Sequence, residues 1–180
     1  MKCNTAADAS WPPLVLASIS PRRKEILEEL GYAFEIQSRD VEEAHEEELS
    51  PEDLTTHNAL LKARAVALDY PQAIVLGADT LVYLDGQPLG KPKTREEAHQ
   101  MLKRLSGKVH YVCTGVALVH EASGRQHCFS VLSEVEFKEL SDELISEYHR
   151  LINPMDKAGA YAIQEESDRI IAQIRGSWNN

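Results

Sequence analysis

The 180-residue sequence predicts a mixed-sheet α/β fold. Three observations predict it. Short continuous apolar runs, closed by turn residues, alternate with stretches of helical periodicity, the order expected of an α/β layer. Two long strand-like stretches, 109–119 and 127–137, flank Ser123-Gly124, which sets an antiparallel hairpin into that alternation. The composition, 43% apolar and 27% charged, is globular and suits one domain, or one domain with two lobes. Residues 1–12 read as a polar tail and 13–180 as the single domain.

Each element has a local reason. Leu14-Val15-Leu16-Ala17 is a short apolar run before Ser and Pro, which reads as a buried strand. In the helix that follows, Ser20 caps, Pro21 takes the first position, Gly31 stops it, and Ile26, Leu27 and Leu30 form its stripe. Residues 33–37 read as a second strand. Residues 40–53 then hold eight Asp/Glu and no Lys/Arg, a solvated loop running into a helix. Ser50-Pro51-Glu52-Asp53 opens that helix with a cap, a proline and first-turn acids. Residues 73–76 read as a buried strand ending in Gly77-Ala78-Asp79-Thr80, and 81–84 as a separate strand turned by Asp85-Gly86. Thr94-Arg95-Glu96-Glu97 is a capping box, with Met101, Leu102 and Leu105 facing a core. Ser141 begins a helix carrying Leu144, Ile145, Tyr148 and Leu151, and 160–164 and 169–174 read as closing strands.

Composition also excludes. A net charge of −10 argues against nonspecific nucleic-acid or anionic-membrane partners, which need a basic face. No apolar run approaches the ~20 residues that span a bilayer, and the run at 14–17 is too short for a signal-peptide core. Three cysteines without CxxC spacing point to a reducing compartment, so a cytoplasmic protein is expected. HExxH, zinc-site spacing, the GxSxG elbow and a GxGxxG after a strand are all missing. Trp11, Trp178 and the other scattered aromatics make no base-stacking platform.

Three features carry chemistry. In Ser18-Ile19-Ser20-Pro21-Arg22-Arg23-Lys24, three cations occupy a helix's first turn, where the macrodipole disfavours them unless an anion binds. A phosphate cradle is the better reading; a solvated basic turn facing the acidic loop is the other. Asp79, at the expected end of a strand beside Gly77 and Ala78, suits a metal ligand, a water-orienting base or a turn aspartate. Gly90-Lys91-Pro92 holds a lysine between two backbone punctuators, without P-loop spacing.

These residues also carry a resemblance. Leu16-Ala17-Ser18-Ile19-Ser20-Pro21-Arg22-Arg23, Leu76-Gly77-Ala78-Asp79-Thr80, Gly90-Lys91-Pro92, Leu105-Ser106-Gly107-Lys108 and Asp156-Lys157-Ala158-Gly159-Ala160-Tyr161-Ala162-Ile163-Gln164 occur in the order that resembles the Maf family. Those are nucleoside triphosphate pyrophosphatases, once described as septum-formation proteins. The resemblance implies an elongated fold similar to the inosine triphosphate pyrophosphatases, with a cleft between two lobes, and a homodimer as a common assembly. It implies hydrolysis of a nucleoside triphosphate to the monophosphate and pyrophosphate with a divalent cation, Mg²⁺ or Mn²⁺.

Carried over residue by residue, Asp79 matches the proton acceptor. Arg22, Thr80 and Gln164 match positions tied to base choice. Arg23, Lys62 and Lys91 match cationic contacts, with Ser18 and Ser20 beside them as substrate-binding candidates. Glu43 matches an acidic position that, with Asp79, resembles a metal or water ligand. Arg22, Thr80 and Gln164 resemble the branch acting on dTTP, UTP and modified pyrimidine nucleotides. A 7-methyl-GTP pyrophosphatase and a non-catalytic nucleotide-binding regulator of division are the alternatives. Two departures stand out: Glu165-Glu166-Ser167 replaces a glycine-rich stretch, and the sequence ends at Asn180 where relatives continue into a further segment.

Overall fold

The computed structural model describes residues 11–45 and 49–180. Most of the expected polar tail, Cys3 and the acids at 46–48 lie outside the described residues. In chain order the elements are β1 (Leu14–Leu16), α1 (Pro21–Glu29), β2 (Phe34–Ile36), α2 (Pro51–Ala67), β3 (Ile74–Leu84) and β4 (Gln87–Leu89). Then come α3 (Arg95–Leu105), β5 (Val109–His120), β6 (Arg125–Phe137), α4 (Asp142–Leu151), α5 (Ser167–Ile170) and β7 (Ile171–Arg175). The strands make one mixed sheet in the order β2-β1-β3-β5-β6-β7, with β4 also paired to β3. β1 is parallel to β2 and β3, and the remaining pairs are antiparallel.

Local chemistry explains most boundaries. α2 begins where Ser50 Oγ accepts from the Asp53 amide at 3.1 Å, and α4 where Ser141 Oγ accepts from Leu144 at 3.2 Å. Thr94 Oγ1 caps α3 through the Glu97 amide at 3.1 Å, while the Glu97 carboxylate reaches back to the Lys93 amide at 2.7 Å. Asp85 and Gly86 both have positive φ, 54° and 77°, the twist a two-residue hairpin between β3 and β4 requires.

Two cores flank the sheet's middle. Val15, Ala63, Val66, Val75 and Ala117 pack α2 against β1, the start of β3 and the end of β5. Leu84, Leu102, Leu105, Val112, Val135, Ile145 and Tyr148 pack α3 and α4 against the end of β3, the start of β5 and the end of β6. The two lobes are therefore two cores sharing β3, β5 and β6. Among the described residues, no helix is long and apolar enough to cross a membrane.

The structure corrects four expectations. Residues 73–76 and 81–84 are one continuous strand, so Asp79 lies at the middle of β3 and not at a strand end. Nothing in Gly77-Ala78-Asp79-Thr80 breaks extension once β5 pairs along the whole segment, from Val75 with Val119 to Tyr83 with Tyr111. Ser20 makes no side-chain cap on α1; instead Ser18 Oγ accepts from the Ser20 amide at 3.2 Å. Residues 160–164 form no strand. Gly159 and Ala160 take positive φ, 68° and 63°, and the Tyr148 hydroxyl serves the following backbone. It accepts from the Ala162 amide at 3.1 Å and lies 3.2 and 3.3 Å from the Ala162 and Glu165 carbonyls. Of the last expected strand, Arg169 and Ile170 belong to α5, and β7 takes over at Ile171.

Candidate active site

A gap in the sheet creates the site. β1 pairs with β3 only as far as Leu76, and β4 begins to pair with β3 at Val82. Between them one edge of β3 has no strand neighbour among the described residues, and Asp79 and Thr80 stand there on opposite faces of the sheet. The Arg23 guanidinium braces this gap. Nη1 donates to the Ala78 carbonyl at 2.9 Å and to Ser18 Oγ at 3.1 Å, and Nη2 donates to Thr80 Oγ1 at 3.1 Å. Three of arginine's five N–H donors are used, which leaves two for a ligand. Thr80 Oγ1 also pairs with Thr114 Oγ1 at 2.9 Å on β5. Burial pulls the Arg23 pKa below its ordinary value, with Asp79 opposing that shift; an arginine stays cationic regardless.

On the other face, α2 lies close enough for its side chains to reach Asp79. Gly77 and Gly115 permit that approach. A methyl group on Gly77 would meet the Ala59 carbonyl and the Ala63 side chain, and one on Gly115 would meet the Thr55–Thr56 peptide. Asn58 and Lys62, four residues apart on α2, therefore point at the same carboxylate. Lys62 Nζ contacts Asp79 Oδ1 at 2.6 Å and Glu43 Oε1 at 2.9 Å. Asn58 Nδ2 stands 3.5 Å from Asp79 Oδ2. Asp79 is 5% exposed, so an ammonium and an amide replace most of its hydration.

The third wall is the segment after α4. Lys157 is buried, and its Nζ contacts the Asn153 carbonyl at 3.0 Å, Asp156 Oδ1 at 3.0 Å and Glu165 Oε1 at 3.3 Å. That ion cluster folds the segment back on itself and presents Gln164 to the open side. Arg22, Lys91 and Gln164 line the same cleft as Ser18, Ser20, Arg23, Glu43, Lys62, Asp79 and Thr80. Its volume, about 1510 Å³, exceeds the several hundred Å³ of an ordinary small-molecule site.

All ten candidates from the sequence thus share one cleft, although 146 positions separate Ser18 from Gln164. Among the described residues no three His, Cys, Asp or Glu side chains converge as a ready-made metal cage. Asp79 and Glu43, one ammonium apart, nevertheless suit a hard cation that takes one or two carboxylates and completes its shell with phosphate oxygens and water.

The Maf-like protein family model matches residues 13–180, nearly the whole chain. The chain belongs to the Maf family. Curated Maf relatives include the dTTP/UTP pyrophosphatase of Akkermansia muciniphila, 49% identical over 94% of this chain and 88% of that protein. The dTTP/UTP pyrophosphatases of Desulforamulus reducens and Clostridioides difficile are 47% and 41% identical. They match over 92% and 93% of this chain and 87% and 86% of their own. Among solved structures, the Staphylococcus aureus Ham1 protein superposes with a TM-score of 0.51. It is 18% identical over 71% of this chain and 72% of that one, a likeness of fold alone that agrees with the expected architecture.

Sequence reasoning in this Maf chain missed two residues. Lys157 lies inside a quoted motif, yet nothing in its spacing says that its charge is buried and spent on the loop. Asn58 has a signal that was available: it precedes Lys62 by four residues on the same helix, a polar group on the face that turns toward Asp79.

Proposed function

We propose that this chain is a nucleoside triphosphate pyrophosphatase that hydrolyses dTTP and UTP to the monophosphate and pyrophosphate. The observation that carries the reading is a buried carboxylate, Asp79, in a large cleft whose rim supplies Arg22, Arg23 and Lys91. The names of relatives up to 49% identical point the same way.

The triphosphate is multiply anionic and the protein carries −10, so attraction has to be local. Arg22 and Lys91 at the cleft, with the two spare donors of Arg23, provide it. The first-turn amides of α1, which Ser20 leaves uncapped, add further donors. Asp79 accepts the proton of the attacking water through Oδ2, the oxygen that Lys62 does not hold. Lys62 keeps Asp79 and Glu43 together in spite of their like charge. Asp79 and Glu43 would hold a divalent cation, which when bound neutralises phosphate charge and polarises the phosphorus under attack. No covalent intermediate is needed; positioning and electrostatics suffice. Thr80, braced by Arg23 and Thr114, and Gln164, presented by the Lys157 cluster, are the groups that select the base.

A panel of dTTP, UTP, CTP, ATP, GTP and 7-methyl-GTP, supplemented with Mg²⁺ or Mn²⁺ and scored for pyrophosphate release, tests the reading. The expected result is the highest kcat/KM for dTTP and UTP. A preference for 7-methyl-GTP, or no turnover of any member, contradicts it.

A further inference from the structure

Asn58 is 2% exposed, deep in a largely apolar helix face beside Ala59, Ala63 and Val66. A buried amide there is costly unless every donor and acceptor is answered. They are answered in one direction only, toward the acidic loop and the carboxylate. Asn58 Oδ1 accepts from the Ala44 amide at 2.8 Å, and Nδ2 donates to the Ala44 carbonyl at 3.1 Å. Both backbone groups of Ala44 are therefore held by one side chain, as a neighbouring strand would hold them. The second proton of Nδ2 faces Asp79 Oδ2 at 3.5 Å, which also fixes which end of the amide is nitrogen. Ala44 follows Glu43, whose carboxylate meets Lys62 one turn further along α2.

We propose that Asn58 is a positioning residue for the hydrolytic step: it clasps the loop bearing Glu43 to α2 and thereby sets Glu43, Lys62 and Asp79 in register. The proposal rests on reading the cleft as the hydrolytic site. The loop has no other hydrogen bond to α2 among the described residues than the two made by Asn58, apart from the Glu43–Lys62 ion pair. Without the clasp, the described residues hold Glu43 to α2 through a part-exposed ion pair alone, a weak constraint by itself. Small displacements of reacting groups carry large rate penalties, up to about 100-fold for an error near 1 Å.

Two variants of the full chain test this. Asn58→Leu keeps bulk and helix preference but offers no hydrogen bond. Asn58→Asp keeps an acceptor for the Ala44 amide but cannot donate to the Ala44 carbonyl or to Asp79. For Asn58→Leu the expected outcome is a kcat on dTTP lowered roughly 10–100-fold with KM within about threefold. Hydrogen exchange at the Ala44 amide should accelerate at the same time. Asn58→Asp keeps one of the two Ala44 hydrogen bonds, so Ala44 protection should fall less than in Asn58→Leu while kcat still drops. A folded Asn58→Leu or Asn58→Asp with wild-type kcat overturns the proposal, as does unchanged Ala44 exchange in Asn58→Leu. If Asn58→Leu does not fold, the near-isosteric Asn58→Asp decides. Wild-type chain assayed in parallel separates the two failures: an inert wild type sinks the reading of the cleft, whereas active variants sink only the role of Asn58.

Discussion

At the residue scale, Asp79 and Lys62 form the centre of the site, and their chemistry was readable from residue type while their contact was not. Replacing Asp79 with Asn preserves shape and removes the carboxylate proposed as the base. Loss of a general base costs about 10²–10⁴-fold in rate, so Asp79→Asn should turn over dTTP at less than a tenth of the wild-type kcat while staying folded. Circular dichroism beside the kinetic assay separates lost chemistry from lost structure. A second residue prediction concerns acid stability. His110 is fully buried, its Nε2 is paired with the Tyr161 hydroxyl at 2.7 Å and its Nδ1 has no partner among the described residues. Burial lowers its pKa to about 4, against 6.5 for a free imidazole. Between those values the unfolded chain binds a proton that the folded chain refuses. Stability therefore falls as pH drops from about 6.5 to about 4, by about 3 kcal/mol at the limit, and this contribution flattens below that. His149, whose pKa burial also lowers, acts with the same sign. Urea unfolding at pH 7.5 and 4.5 should show a smaller acid loss for His110→Gln than for wild type; equal losses would contradict the assignment.

At the element scale, what the sequence left obscure is the way elements approach one another. Caps placed the starts of α2, α3 and α4 within a few residues, because those signals are local. The continuity of β3 is decided by pairing with β5, about 35 positions away, and no local signal reports it. The same holds for residues 160–164, which look extended until the Tyr148 hydroxyl takes their backbone groups. Gly77 and Gly115 admit the backbone of α2, an approach that no local signal reports. Adding a methyl group at Gly115 forces α2 off the sheet. Gly115→Ala should lower stability by about 1–3 kcal/mol or more, the range for overpacking, and should lower kcat because Asn58 and Lys62 retreat with the helix. Thermal unfolding and turnover measured together check this; a destabilised variant with full kcat would mean that helix position and chemistry are independent. Tyr148→Phe leaves the Ala162 amide without its partner, a loss of roughly 1–3 kcal/mol. Because that loop presents Gln164, the variant should also discriminate less between dTTP and CTP.

At the scale of the whole molecule, two cores share one sheet, and the cleft occupies the stretch of β3 where neither core nor strand neighbour covers the edge. Four of the five ordered motifs announced the site because each supplies one wall, while Leu105-Ser106-Gly107-Lys108 lies outside the cleft lining. Ser18–Arg23 closes the gap, Gly77–Thr80 crosses it, Lys91 lies at its rim, and Lys157–Gln164 folds over it. The acidic segment reads as solvent-facing by composition, yet the Glu43 carboxylate meets the cleft, because the ammonium of Lys62 and the amide of Asn58 hold that loop there. The central claim is that Asp79 directs water at the phosphorus next to the nucleoside. Hydrolysis of dTTP in ¹⁸O-labelled water, with products resolved by mass, tests it most directly. The account predicts dTMP and pyrophosphate, with the label in dTMP, and loss of that reaction in Asp79→Asn. Label in pyrophosphate, release of orthophosphate, or undiminished turnover by Asp79→Asn would contradict it.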